Sequence, residues 1–134
     1  MSALTRLLFP VPAPRSLGPI IAWWERRRLV FNLVVGATGA FTCSVIALIG
    51  LLPPHPHWFG PPPIAIIGYA LTANLCYTLG WVIEGAAHTA WKDGVQPTGP
   101  VLFRQGLIFS AGLTLLPIAV AVWDWTIRFI KAIW

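Results

Sequence analysis

Acidic residues are scarce in this sequence, and the few that are present are scattered. Only four of the 134 residues are Asp or Glu, namely Glu25, Glu84, Asp93 and Asp124. Phosphoryl transfer and metal-assisted hydrolysis need carboxylates or imidazoles grouped around an ion, and this spacing offers no such group. We therefore expect no catalytic residues, no metal site and no enzyme activity.

Histidine and cysteine are nearly as scarce. His55 and His57 have no Cys, Asp or Glu nearby, so a metal site there would be incomplete. None of the three histidines lies in a long apolar segment, which disfavours haem or chlorophyll, and we expect no cofactor. At about 1.5 Å of rise per helical residue, Cys43 and Cys76 lie at different membrane depths, too far apart for a disulfide.

Charge is scarce overall, and apolar residues take its place. Charged residues make up 10% of the chain and hydrophobic residues 57%, with a mean hydropathy of +0.74. Soluble domains carry about 25% charged residues, so the sequence predicts an all-α, polytopic membrane protein. The net charge of +5 does not indicate nucleic-acid binding, because five of the nine basic residues precede the first long apolar segment. These five, Arg6, Arg15, Arg26, Arg27 and Arg28, instead indicate contact with membrane lipids, including anionic headgroups.

Three apolar segments are long enough to cross about 30 Å of hydrocarbon as helices. They cover residues 29–52, 64–84 and 101–123 approximately, and together form one predicted transmembrane domain over residues 29–134. Residues 1–28 are predicted to be a cytoplasmic or interfacial segment, and their prolines argue against a cleaved signal peptide. The C-terminal end is predicted to be amphipathic.

Basic residues fall mainly on one side of the predicted spans. Lys92 and Arg104 join the five N-terminal arginines on that side, whereas Arg128 and Lys131 follow the third span. By the positive-inside rule we expect a cytoplasmic N-terminus and an outside C-terminus in a bacterial inner membrane. The predicted anchors at the membrane surfaces are Trp23, Trp24, Arg26, Arg27, Arg28, Trp58, Trp123 and Trp125.

Small residues recur at every fourth position in each predicted span. Such residues let helix backbones approach closely, which matters because lipid removes the hydrophobic drive for helices to associate. We predict that they form helix-packing faces. The faces comprise Gly36, Ala40 and Ser44, then Gly68, Thr72, Cys76 and Gly80, and finally Gly106, Ser110 and Thr114.

Several polar residues fall inside or at the edges of the predicted spans, namely Asn32, Asn74, Tyr77, Glu84 and Arg104. A polar group at membrane depth is a candidate functional residue, although hydrogen bonding between helices is its commoner role. Glu84 and Arg104 bracket the loop between the second and third spans and could pair there, joined by Asn32 or by Arg26 to Arg28. The sequence leaves both roles open for Asn74 and Glu84.

Three stretches resemble known sequences. They are WWERRRLVFNL at residues 23–33, NLCYTLGW at residues 74–81 and FRQGLIFSAGLTLLP at residues 103–117. They resemble small bacterial multi-span membrane proteins, and this resemblance implies no activity and no functional residues. The overall plan is also similar to that of bacterial diacylglycerol kinase, but the paired acidic motifs of that family are absent.

By elimination, the sequence predicts a small accessory or assembly subunit that packs against the helices of a larger bacterial membrane complex. An energy-transducing complex is one such case, and a hetero-complex is favoured over a homo-oligomer. One alternative is a protomer of a small oligomeric transporter, whose pathway would use Asn74, Tyr69, Tyr77 or Glu84. A small membrane-embedded lipid-modifying enzyme is the other.

Overall fold

A computed structural model of the chain describes residues 16–54, 56, 60–90 and 99–134. These residues form three α-helices, α1 (Leu17–Leu51), α2 (Pro63–Ala90) and α3 (Gly99–Ile133). Each helix is long and apolar enough to cross a membrane. The predicted all-α, three-span membrane fold is therefore confirmed. Several residues of interest in the sequence lie outside the described residues: Arg6, Arg15, His55, His57, Trp58, Lys92 and Asp93.

The first helix starts well before the first predicted span. α1 begins at Leu17 rather than near residue 29, so residues 17–28 continue the helix instead of forming a separate interfacial segment. Pro19 is compatible with this start, because it is the third residue of the helix. Backbone N–H groups in the first turn have no partner within the helix, and proline is tolerated there.

The three helices meet at a common end, which we call the arginine end, where α1 begins, α2 ends and α3 begins. There the side chain of Leu17 lies 3.2 Å from the position that a Cβ on Gly85 would occupy. At the opposite end, called the far end, Trp125 Nε1 on α3 donates a hydrogen bond to the carbonyl of Pro53, 3.0 Å away. α1 and α3 therefore run parallel, and α2 runs antiparallel to both.

α3 continues past this contact to Ile133 as a single helix that contains Pro117. Next to the contact, Asp124 and Arg128 form an ion pair of 3.1 Å one turn apart on the helix. Exposed apolar side chains, including Ile130, occur in the same stretch. The predicted amphipathic C-terminal end is therefore part of α3.

The packed core is aromatic and lies toward the arginine end. α1 packs most extensively against α3. The core consists of Trp24, Phe31, Val35, Ala73, Tyr77 and Phe103. Most other large apolar side chains point outward, as a lipid-facing surface requires; Leu29 and Leu71 are each more than 60% exposed.

Candidate functional site

The aromatic cluster at the arginine end joins all three helices. The ring of Trp24 on α1 makes edge-to-face contacts with Tyr77 on α2 and Phe103 on α3, at centroid distances of 5.2 and 6.2 Å. Phe31 lies 4.7 Å from Tyr77 in the same cluster. Each such pair contributes about 0.5–1.5 kcal/mol beyond the burial of its surface. Only 3% of Trp24 is exposed, so this ring packs the core and is not the surface anchor expected from the sequence.

A glycine on α2 makes room for this tryptophan. A Cβ on Gly80 would lie 2.6 Å from Cη2 and 2.9 Å from Cζ3 of Trp24, closer than side chains tolerate. The Tyr77 hydroxyl also donates a hydrogen bond to the carbonyl of Trp24. Gly80 and Tyr77, one turn apart on α2, thus hold both the ring and the backbone of the same residue.

Glu84 links the three helices by hydrogen bonds. Its Oε2 accepts from Trp24 Nε1 at 2.7 Å, and its Oε1 accepts from the backbone N–H of Gly99 at 3.0 Å. Gly99 is the first residue of α3, so the carboxylate satisfies an N–H that lacks a helical partner at the positive end of the helix dipole. Arg104, which the sequence suggested as a possible partner of Glu84, is exposed. Glu84 therefore has a backbone N–H as a partner, and not the cation that the sequence suggested.

The three consecutive arginines have different surroundings. The Arg27 guanidinium stacks 3.8 Å above the Trp23 ring and donates to the Trp23 carbonyl at 3.1 Å. Arg28 donates to Glu25 at 2.8 Å and to Thr78 on α2 at 3.2 Å. Arg26 is exposed. The expected role at the membrane surface therefore remains open for Arg26, while its two neighbours are engaged with the protein.

Two of the intramembrane polar residues are partners of each other. Asn74 Nδ2 on α2 donates to Asn32 Oδ1 on α1 at 2.9 Å, and also to the carbonyl of Ala70 at 3.0 Å. An unpaired amide is costly in hydrocarbon, and this contact satisfies part of the hydrogen-bonding capacity of each side chain. In this fold the asparagines connect two helices.

A second polar cluster lies nearer the far end and includes a residue that the sequence did not single out. Tyr69 on α2 bonds to the Ser110 carbonyl at 2.9 Å and to Thr114 Oγ1 at 2.6 Å. Thr42 on α1 donates to the Thr114 carbonyl at 3.0 Å. The residue not singled out is Thr42, and the spacing of the residues that α1 buries indicates it. Buried positions on α1 advance in steps of seven and four residues through Trp24, Phe31, Val35, Thr42 and Ile46.

The predicted small-residue faces divide into used and unused parts. Gly80, Ser110 and Thr114 contact another helix. By contrast, all three predicted positions on α1 and two of those on α2 point outward: Gly36, Ala40, Ser44, Gly68 and Thr72 are exposed. Every fourth residue of an α-helix is displaced by about 40° around the axis, so such a series winds away from any straight interface.

An open groove of about 110 Å³ separates α2 from α3 beside the aromatic cluster. Trp24, Phe31 and Phe103 contribute aromatic surface to it, and Cys76 and Gly106 line it as small residues. Among the residues that the structure describes, no group of three or more metal-binding side chains occurs. The groove is an apolar surface feature and has no charged lining residue.

Two further predicted anchors, Trp123 and Trp125, lie at the far end. Trp123 is 68% exposed. Trp125 is half-buried and holds the end of α1 through Pro53, with its ring 5.6 Å from that of Phe129. Trp123 is thus free to contact lipid, while Trp125 has a role within the fold.

These helices and contacts define a three-span helical membrane protein. Aromatic contacts and hydrogen bonds connect its three helices at the arginine end. Comparisons with models of protein families, with curated proteins and with solved structures find no match to this chain.

Proposed function

We propose that this protein is a small accessory or assembly subunit that packs against the helices of another protein in a larger bacterial inner-membrane complex. An energy-transducing complex is one that would use such a subunit. The arginine end faces the cytoplasm in this proposal, and α3 ends outside. The distribution of cations supports that orientation, because Arg26, Arg27, Arg28 and Arg104 lie at the arginine end.

The outward small residues are the observation that carries the proposal. A Cβ placed on Gly36 or Gly68 would meet no atom within 4 Å. Much of the remaining outward surface carries large side chains, such as Leu33 and Leu48, each more than 60% exposed. Small residues in membrane helices mark places where another helix approaches closely. The fold leaves two groups of these small residues exposed, Gly36, Ala40 and Ser44 on α1 and Gly68 and Thr72 on α2; together we call them the small-residue surface.

The contacts of the polar residues favour a structural subunit over a transporter. Asn74 is bonded to Asn32, Glu84 to Trp24 and Gly99, and the Tyr77 hydroxyl to a backbone carbonyl. A transport pathway needs polar groups that face a substrate. In this chain the same groups connect helices, as expected of a structural subunit.

The test compares leucine substitutions at three exposed glycines. Gly36→Leu and Gly68→Leu fill the small-residue surface, whereas Gly112→Leu adds the same bulk at an open position outside it. After extraction in mild detergent, mass spectrometry identifies the proteins that purify with each variant. We expect a partner with the native chain and with Gly112→Leu, and its loss with the other two. A native chain that purifies alone, or equal recovery from all variants, would contradict the proposal.

A further inference from the structure

The two acidic residues that the structure describes at the arginine end are engaged within the protein. Glu25 forms an ion pair of 2.8 Å with Arg28. Glu84 is bonded to Trp24 and Gly99. Neither Arg26 nor Arg104 forms an ion pair with a residue that the structure describes. Among the described residues at this end, the arginines therefore outnumber the acids, and both acids are already bonded.

Arg26 and Arg104 lie at nearly the same depth. The rings of Trp24 and Phe103 are 6.2 Å apart, which aligns α1 with α3 at this level. Arg26 follows Trp24 by two residues and Arg104 directly follows Phe103, so each lies within about 3 Å of this level along parallel helices. Both side chains are exposed. They are fixed at one level by the packed aromatic rings.

That level coincides with the edge of the hydrocarbon. The uncharged part of α1 after the arginines runs from residue 29 to Leu51. At about 1.5 Å per residue it is long enough to span roughly 30 Å of hydrocarbon, which leaves Arg26 at the boundary. Phospholipid phosphates lie just outside this boundary. Exposed guanidinium groups at that depth complement anionic headgroups.

We infer that Arg26 and Arg104 bind the headgroups of anionic phospholipids, while Arg27 and Arg28 hold the fold and do not select lipid. The division follows from the contacts. Arg27 is stacked on Trp23, and Arg28 is bonded to Glu25 and Thr78. Three consecutive arginines of equal charge thus have two different functions. This inference does not depend on which complex the protein joins.

Native mass spectrometry of the full chain in detergent tests the inference. The protein is offered equal amounts of phosphatidylglycerol and phosphatidylcholine with identical acyl chains, and the ratio of bound lipids is measured. We expect the native chain to prefer phosphatidylglycerol. Arg26→Gln and Arg104→Gln should each reduce that preference roughly fivefold, and the double variant should reduce it further. Replacement of both arginines by lysine should retain it.

Arg27→Gln and Arg28→Gln are matched controls, because each removes the same charge within two residues of Arg26. We expect both to keep the native lipid preference and to lower the melting temperature. Arg28→Lys keeps the charge at this site should the glutamine variant not fold, and it too should keep the preference. An undiminished preference in the Arg26 and Arg104 double variant would overturn the inference. So would an equal loss in Arg27→Gln, since net charge alone would then explain the binding.

Discussion

The fit between Gly80 and Trp24 predicts opposite effects for the same substitution at two positions of α2. In Gly80→Ala the new Cβ would lie 2.6, 2.9 and 3.2 Å from three carbons of the indole six-membered ring of Trp24. That ring is held between Tyr77 and Phe103 and has little room to move. In Gly68→Ala the new Cβ would meet no atom within 4 Å. The substitutions therefore differ only in what surrounds the methyl group.

The magnitudes follow from general values for packing and helix propensity. Overpacking a tight site costs about 1–3 kcal/mol. Replacing glycine by alanine inside a helix contributes about 0.5–1 kcal/mol of stability. Gly80→Ala should therefore destabilise the fold by about 0.5–2 kcal/mol, while Gly68→Ala should leave stability unchanged or raise it by less than about 1 kcal/mol.

Equilibrium unfolding in mixed micelles, followed by circular dichroism, measures both variants. Trp24→Phe provides the further control, because phenylalanine lacks the indole atoms that the Cβ of Gly80→Ala would meet. In that background the cost of Gly80→Ala should fall, which gives a coupling free energy above about 0.5 kcal/mol in a double-mutant cycle. Equal stabilities of Gly80→Ala and Gly68→Ala, or purely additive effects with Trp24→Phe, would refute the packing described for this cluster.

Further predictions concern the hydrogen bonds between helices. Glu84→Gln keeps an acceptor for one donor but presents an amide N–H₂ to the other, either Trp24 or Gly99, so the free energy of unfolding should fall by about 1–3 kcal/mol. The same unfolding assay checks this, and native stability in Glu84→Gln would show that the carboxylate does not connect the helices. Asn74→Leu should cost only about 0.6 kcal/mol because hydrogen bonds between membrane helices contribute little. The double variant that carries Asn32→Leu and Asn74→Leu should be no less stable than either single variant. Additive losses of stability would argue against the pairing of the two asparagines.

The three spans could be predicted from the sequence because bilayer thickness fixes how long an apolar helix must be. The start of α1 could not be predicted as easily. Prolines and arginines before residue 29 indicate an interruption, yet Pro19 falls in the first turn, where it is tolerated. The sequence also does not show which of Trp23 and Trp24 is buried. Successive residues of a helix point about 100° apart, and which of them faces inward depends on α2 and α3.

The contacts at the arginine end illustrate what a sequence pattern leaves out. The sequence leaves open whether Asn74 is functional or bonds another helix, and in the structure it donates a hydrogen bond to Asn32. The sequence allows Glu84 to pair with Arg104, whereas its partners in the structure are the Trp24 side chain and the backbone N–H of Gly99. The sequence shows which side chains carry opposite charges, but it does not show which backbone N–H groups come within reach of a carboxylate. A repeat of four residues does not stay on one side of a helix, because each step turns by about 40° around the axis.

Photo-crosslinking in native membranes tests most directly the claim that the small-residue surface binds another protein. A photoreactive amino acid is placed at Gly36, at Gly68 or, as a control, at Gly112, all three of which have open space around them. The account predicts adducts of this chain with one and the same protein from the first two positions and none from Gly112. Adducts with lipid alone at Gly36 and Gly68, or the same protein adduct from Gly112, would contradict it.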